Sequence, residues 1–262
     1  MPKISVIGGG LGGLATALAL YRRGIDVAVY EKATELGEIG AGVVLSPNAL
    51  KAMRYLGIED RVIDIGVETR EQSIRSFRSG RVIVKPRPGE DIKARYGATS
   101  LTIHRADLHD ILVQAVPEKI VHLAKTCIGV DMRDGSAVAI FSDGTEVDAD
   151  IVVGSDGIHS TVRDSLLGPI EPTFTGCICW RGLVPSSKLG NLQLARQFTI
   201  WWGPHGHIVH YPVRRGELVN FVAHFESDAW TGESWVEECP REQVMETYAD
   251  WNPDLLELIG SS

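Results

Sequence analysis

Gly8, Gly10 and Gly13 stand in the spacing G-x-G-x-x-G, and an acid, Glu31, follows 23 positions after the first of them. Each residue type suits one task at a dinucleotide. Gly8 allows a tight turn, Gly10 lets the backbone approach a pyrophosphate, and Gly13 lets a helix pack closely on a strand. The N–H groups at a helix start offer donors to phosphate oxygens, and a carboxylate at the end of the next strand can accept from a ribose hydroxyl. A lone G-x-G-x-x-G is a weak signal. Its strand–turn–helix–strand context decides for a dinucleotide site over a plain glycine-rich turn. Two other clusters invite a metal reading. His205, His207 and His210 lie close together, but no acid or cysteine completes a set. Cys177 and Cys179 would share one face of a strand, but without further ligands. No metal site is expected.

The elements that must position these residues follow from periodicity and punctuation. Lys3–Ile7 reads as a buried strand, Leu14–Arg23 as a helix stopped by Gly24, and Ile25–Tyr30 as the next strand. Gly37–Leu45 is glycine-broken and then apolar; glycines at 40 and 42 suggest that a flat group or another backbone comes close. Pro47 opens a helix through Tyr55 that Gly57 stops. Residues 72–77 and 81–85 read as a hairpin around Ser79-Gly80, and Pro86, Pro88 and Gly89 as a loop. An extended stretch, 100–104, leads into a helix with apolar positions Leu108, Ile111, Leu112 and Ala115. From Ile120 to Asp150 the period is two, with turns at Asp134-Gly135 and Asp143-Gly144, so an antiparallel meander is expected. Ile151–Val153 reads as a fully buried strand of a parallel sheet, ending in Gly154-Ser155-Asp156-Gly157 before another helix. Beyond Gly168-Pro169, strands are expected at 173–184, 198–202, 207–213 and 218–226, then helices from Pro240 and after Asn252.

The chain is therefore expected to be α/β. A nucleotide-binding layer takes 1–71 and 100–168, with a parallel sheet plus the meander. A second, mostly antiparallel sheet takes 72–99 and 169–262, with the hairpin crossing to join the later strands. Composition agrees with a globular protein: 262 residues, 44% hydrophobic and 23% charged. A net charge of −8 gives no dominant basic face, which argues against nucleic acid or an anionic membrane as partner. No run approaches the roughly 18 apolar residues of a membrane span. The apolar stretch Leu11–Leu20 is too short for an export signal, and its glycines sit where a phosphate-binding turn needs them. The four cysteines read as reduced thiols of a cytoplasmic protein.

Three blocks give the chain a family likeness: Gly8–Gly13 with Glu31; Asp150–Arg163, containing Asp156-Gly157; and His104–Leu108. Supporting stretches are Gly40–Val43 with Pro47-Asn48, and Tyr211–Arg214. Together they resemble the class A flavoprotein monooxygenases, the FAD-dependent aromatic hydroxylases. The texture is most like the salicylate-hydroxylase and 6-hydroxynicotinate-hydroxylase group. The resemblance implies a Rossmann-like FAD-binding domain beside a β-sheet substrate domain. It implies that Gly8, Gly10 and Gly13 bind the FAD pyrophosphate, Glu31 the adenosine ribose, Arg105 the pyrophosphate or ribityl chain, and Asp156-Gly157 the ribityl side. Gly42 and Val43 would lie near the isoalloxazine ring. Arg105 as an ion pair and Asp156-Gly157 as a turn or helix cap are the alternatives.

The implied reaction uses NADH or NADPH to reduce FAD, and O₂ to form a C4a-hydroperoxyflavin that hydroxylates a small phenolic or aromatic acid, salicylate- or hydroxybenzoate-like. His207 and Tyr211, with Trp201 and Trp202 nearby, are the candidates at the substrate. Four apart on a strand, His207 and Tyr211 share a face, and the hydroxynicotinate relatives contact substrate with a His and a Tyr at this spacing. The alternative makes Tyr211 a core aromatic and His207 a surface residue. Val44 stands where some of those relatives carry a histidine, which disfavours hydroxynicotinate itself. A homodimer is compatible with the family. Family members continue to a second flavin motif that has no counterpart here, so a partial or truncated chain is expected, with weak FAD binding if truncated. The competing readings are an inactive flavin-binding remnant and a flavin monooxygenase or epoxidase acting on a non-aromatic substrate.

Overall fold

The structure, a computed structural model, describes residues 1–37, 40–86, 89–190, 197–228 and 237–262. Glu38-Ile39 of the glycine-broken stretch and Pro88 of the expected loop lie outside the described residues. In chain order the strands are β1 (Lys3–Ile7), β2 (Asp26–Tyr30), β3 (Gly42–Leu45), β4 (Val67–Glu68), β5 (Gln72–Ser76), β6 (Val82–Val84), β7 (Leu101–His104) and β8 (Val121–His122). They continue with β9 (Cys127–Arg133), β10 (Ser136–Phe141), β11 (Glu146–Ala149), β12 (Ile151–Gly154), β13 (Cys177–Pro185), β14 (Phe198–Gly203), β15 (Gly206–Val213) and β16 (Leu218–Glu226). The helices are α1 (Leu11–Tyr21), α2 (Pro47–Leu56), α3 (Glu59–Ile65), α4 (Gly89–Tyr96), α5 (Arg105–Ala115), α6 (Thr161–Leu167), α7 (Arg241–Thr247) and α8 (Pro253–Gly260).

Met1–Glu38, Tyr55–Ile58 and Leu108–Pro172 form one compact unit; Ile39–Arg54, Glu59–Asp107 and Thr173–Ser262 form a second. In the first unit, β12-β1-β2-β8 make a parallel sheet. Because β1 has a strand on each side, Ile4 to Ile7 are all buried, and the run reads as continuous rather than alternating. Ile4, Val6, Val27 and Val29 pack with Ala17 of α1. The meander β11-β10-β9 is antiparallel and packs Ala139 and Phe141 with Ile7, Tyr30 and Val162.

In the second unit, six strands run in the order β13-β16-β15-β14-β5-β6. The hairpin β5–β6 joins the later strands as expected, through a parallel pairing of β5 with β14. Period-two alternation gives this sheet two different faces. Trp201, Ile208, Phe221 and Val184 point into a core closed by Tyr248, Trp251, Leu255 and Leu258 from the C-terminal helices and the turn between them. His207, Tyr211, Asn220 and His224 lie on the other face, as the cross-strand register requires. A separate three-stranded sheet, β3-β7-β4, belongs to the same unit.

Two local expectations are corrected. Ile151 is 48% exposed, because β12 pairs on one side only among the described residues, so this strand is not fully buried. Gly89, expected to mark a loop, instead opens α4, which carries Glu90 and Asp91 in its first turn and Lys93 and Arg95 in its last, as the helix dipole favours. Residues 40–54, 59–71 and 100–107 pack within the second compact unit. Among the described residues no helix is long and apolar enough to cross a membrane.

Candidate functional site

In the first unit, parallel register lines up three strand ends. Ile7 lies beside Tyr30 on one side and Gly154 on the other, so Gly8, Glu31 and Ser155 leave the same edge of the sheet as neighbours. That carboxyl edge is where open α/β sheets bind ligands. Gly8 holds φ +105, and a Cβ there would sit 2.4 Å from the Ser155 carbonyl oxygen. A Cβ on Gly13 would sit 1.9 Å from the Gly8 carbonyl oxygen, so this glycine closes the turn on itself. At Gly10 a Cβ would meet nothing within 4 Å. Gly10 is the N-cap of α1 without a side-chain cap, and no acid lies in the first turn. Hence the leading N–H groups of α1 lie beside a bare backbone, with neither a side-chain cap nor a first-turn acid of the helix to satisfy them.

Glu31 sits against this turn. One carboxylate oxygen accepts from Gly9 N at 2.5 Å and the other from Ala33 N at 2.8 Å. Each keeps a lone pair for a hydroxyl. Sequence reasoning missed His109, which is 2% exposed and reaches the Gly9 carbonyl oxygen through Nε2 at 2.9 Å. An oxygen acceptor requires Nε2 to carry the proton, so the imidazole donates and fixes the Gly9 peptide. No sequence signal marked it, since it interrupts the apolar stripe of α5. Asp156 is engaged locally. It accepts from Ser160 Oγ at 2.5 Å and from Val162 N at 3.1 Å, while Ser160 caps α6 through Arg163 N. Asp156 thus buttresses the start of α6, and Gly157 turns the chain at φ +86.

In the second unit, Gly42 meets Tyr211. A Cβ on Gly42 would lie 2.5 Å from Tyr211 Cε2, and the Gly42 N–H donates to Asn220 Oδ1 at 2.7 Å. A Cβ on Gly40 would lie 2.7 Å from the His104 ring. Each of these glycines thus has a ring of the protein against it. Val43 pairs with Ile103 in the sheet, and Arg105 N donates to the Ala41 carbonyl at 3.0 Å, which ties the start of α5 to this strand. Arg214 grips Asp107 in that first turn through two nitrogens, at 2.9 and 3.0 Å.

His207 and Tyr211 share a face of β15 as expected, but the structure does not bring them together. Four residues of strand separate their Cα atoms by about 13 Å. Tyr211 is buried, stacks on Phe198 at 5.4 Å, and burial pushes its phenol up to about 12. His207 is half-buried, stacks on His224 with ring centroids 4.4 Å apart, and burial holds it below the usual imidazole range. Trp202 pairs with His207 and is 49% exposed, whereas Trp201 points into the opposite core, which removes it from the candidate set. Cys177, Trp202, His205, His207, His224 and Glu226 line a cavity of about 400 Å³. His210 is buried on the other face, and among the described residues no group of His, Cys, Asp and Glu could hold a metal ion.

The donors of α1, the bare backbone at Gly10 and the carboxylate of Glu31 fit the diphosphate and ribose of a dinucleotide. Comparison with known proteins agrees. Residues 2–248 match the family described as FAD binding domain. The chain is 37% identical over 261 residues to 3-amino-4-hydroxybenzoate 2-monooxygenase PtnB3 of Streptomyces platensis, covering 100% of this chain and 66% of that protein. It is 33% identical over 264 residues to 6-hydroxynicotinate 3-monooxygenase of Pseudomonas fluorescens, covering 100% of this chain and 68% of that one. Among solved structures, Klebsiella pneumoniae HpxO complexed with FAD and uric acid superposes with a TM-score of 0.86 at 27% identity, over 99% of this chain and 65% of that one. The chain thus spans about two thirds of the length of the curated relatives it matches. On this evidence the chain belongs to the FAD-binding-domain family of flavoprotein monooxygenases.

Proposed function

We propose that the protein works as an FAD-dependent, NADH- or NADPH-using monooxygenase that hydroxylates a small aromatic acid bearing a ring hydroxyl. The observation that carries the reading is the open Gly10 backbone at the uncapped start of α1, with Glu31 beside it. The substrate class is supported by two relatives named for a hydroxybenzoate and a hydroxynicotinate, each a ring with a hydroxyl and a carboxylate. When bound, the flavin accepts a hydride from the nicotinamide and activates O₂ for transfer to the ring.

The chain's own residues take the remaining tasks in this reading. Gly8, Gly10 and Gly13 form the diphosphate turn and Glu31 holds the adenosine ribose. Arg105 reaches the pyrophosphate or ribityl chain, with its backbone fixed by Ala41. Asp156 and Gly157 shape the ribityl side through the α6 cap. Gly42 and Val43 present backbone to the flavin ring. Tyr211, with its phenol pushed up to about 12, keeps its proton at neutral pH and donates a hydrogen bond. His207, whose charged form burial disfavours, contacts the substrate's polar substituents from the same face of the sheet. The functional division remains 1–71 with 100–168 for FAD and 72–99 with 169–262 for substrate. A cytoplasmic location accords with free thiols at Cys127, Cys177, Cys179 and Cys239.

The test uses the purified 262-residue chain. Mixed with FAD, it should retain a yellow flavin through gel filtration, and 3-hydroxybenzoate should speed its NADH or NADPH consumption and yield a dihydroxybenzoate. A colourless protein overturns the flavin reading. Retained flavin without stimulation or product reduces it to a flavin-binding chain.

A further inference from the structure

We propose that His224 forms with His207 a single carboxylate receptor: two stacked imidazoles that together take up one proton as they seat the acid group of the aromatic substrate. This deepens, and rests on, the reading of the second unit's sheet as a substrate surface. No sequence expectation singled out His224. The register of β15 and β16 sets it directly opposite His207, and the rings stack at 4.4 Å with an interplanar angle of 18°.

Both rings line the cavity of about 400 Å³, and among the described residues neither ring has a hydrogen-bond partner in the chain. Their nitrogens are therefore available to a ligand. Trp202 is the next residue in register beyond His207, and its exposed indole gives that cavity a flat apolar wall. An arrangement with an aromatic wall beside two imidazoles matches a ring that carries a carboxylate.

The chemistry of the pair is set by charge. A carboxylate only accepts hydrogen bonds, and two neutral imidazoles supply two donors, one from each ring. One added proton supplies a third donor and a full positive charge. Burial disfavours the charged form of both rings, and a charge on His207 further opposes one on His224. Two neighbouring groups of this kind titrate as a pair. The other groups facing them are few. Strand β13 contributes Cys177, Cys179 and Arg181, and the Arg181 guanidinium adds to the opposition at His224. Strand β16 contributes Glu226, which is occupied with His205 at 2.9 Å. Further along β15 the titratable group is the Tyr211 phenol. The pair therefore rests neutral, and an arriving carboxylate supplies the negative charge that draws in one proton.

The experiment is an NMR pH titration of the intact chain with isotope-labelled histidine, with and without 3-hydroxybenzoate, and with the neutral analogue 3-hydroxybenzyl alcohol. Without ligand, the two rings should titrate together and below the usual imidazole range. 3-Hydroxybenzoate should move both rings and raise their first midpoint by about one pH unit, while the alcohol should leave the midpoint in place. His224→Gln and His224→Phe should each weaken 3-hydroxybenzoate about tenfold with the alcohol's binding unchanged. Independent titration at ordinary values, silence of both rings towards the acid, or equal losses for acid and alcohol would each overturn the receptor. The wild-type titration stands even where a variant fails to fold. Because the readout needs no flavin, a colourless protein whose rings answer the acid would sink the hydroxylase and keep the receptor. A yellow, active protein with silent rings would do the reverse.

Discussion

Asn220 and Gly42, 178 positions apart in the chain, are joined by a hydrogen bond of 2.7 Å from the Gly42 N–H to Asn220 Oδ1. The Tyr211 ring lies against the same glycine. Gly42→Ala would drive a methyl into that ring, and overpacking of this kind costs roughly 1–3 kcal/mol. Urea unfolding should show that loss in the wild-type background and a loss smaller by about 0.5 kcal/mol or more in a Tyr211→Ala background. Equal losses in both would show that the close approach carries no strain.

Gly10 and Gly13 separate binding from folding. Gly13→Ala places a methyl on the Gly8 carbonyl and should cost more than about 2 kcal/mol. Gly10→Ala meets open space, so stability should change by less than about 0.5 kcal/mol. Flavin affinity should nonetheless fall about tenfold, because the methyl occupies the approach of the diphosphate. Thermal unfolding paired with flavin fluorescence titration measures both quantities, and an unchanged flavin affinity for Gly10→Ala would contradict the assigned approach.

His109→Phe tests the support behind the turn. The Gly9 carbonyl would lose its buried donor, a loss worth about 1–3 kcal/mol. If the peptide tilts as a result, flavin affinity falls as well. His109→Gln can still donate and should recover part of both losses.

The histidine pair makes stability depend on acid. Both folded-state pKa values are lowered, so the unfolded chain takes up protons first as pH falls through about 6.5. Their contribution is complete above that pH and lost as pH drops through the folded values. Tyr211 acts at the alkaline end with the opposite sign. Its folded pKa of about 12 keeps full stability below about pH 10 and loses it between there and 12. Unfolding free energy measured against pH should be flatter below pH 7 in His207→Gln/His224→Gln, and flatter above pH 10 in Tyr211→Phe.

How much of this was legible in the sequence depended on how far apart the cooperating residues lie. Gly8, Gly10, Gly13 and Glu31 were readable because one local spacing fixes a turn, a helix and the next strand end. The hairpin at 72–85 was readable from alternation and its glycine turn. α4 was not, because two prolines and Gly89 mimic loop punctuation, although its charges are arranged as a helix prefers. Asn220, His224 and His109 were not, because their partners are set by strand register or packing. Nothing local to Asn220 announces Gly42. Asp156 was readable as a motif, but its engagement with Ser160 and Val162 needed the folded turn.

The parallel pairing of β5 with β14 sets a timetable for synthesis. Gln72 waits for Phe198, its neighbour in register, which the ribosome adds 126 residues later. At about 5–20 residues per second that is roughly 6–25 s. Throughout this interval residues 72–84 have no sheet to join, and a lone hairpin is only marginally stable. Nascent chains of this protein should therefore be clients of ribosome-associated chaperones, and refolding from urea should be slow and prone to aggregation at the second unit.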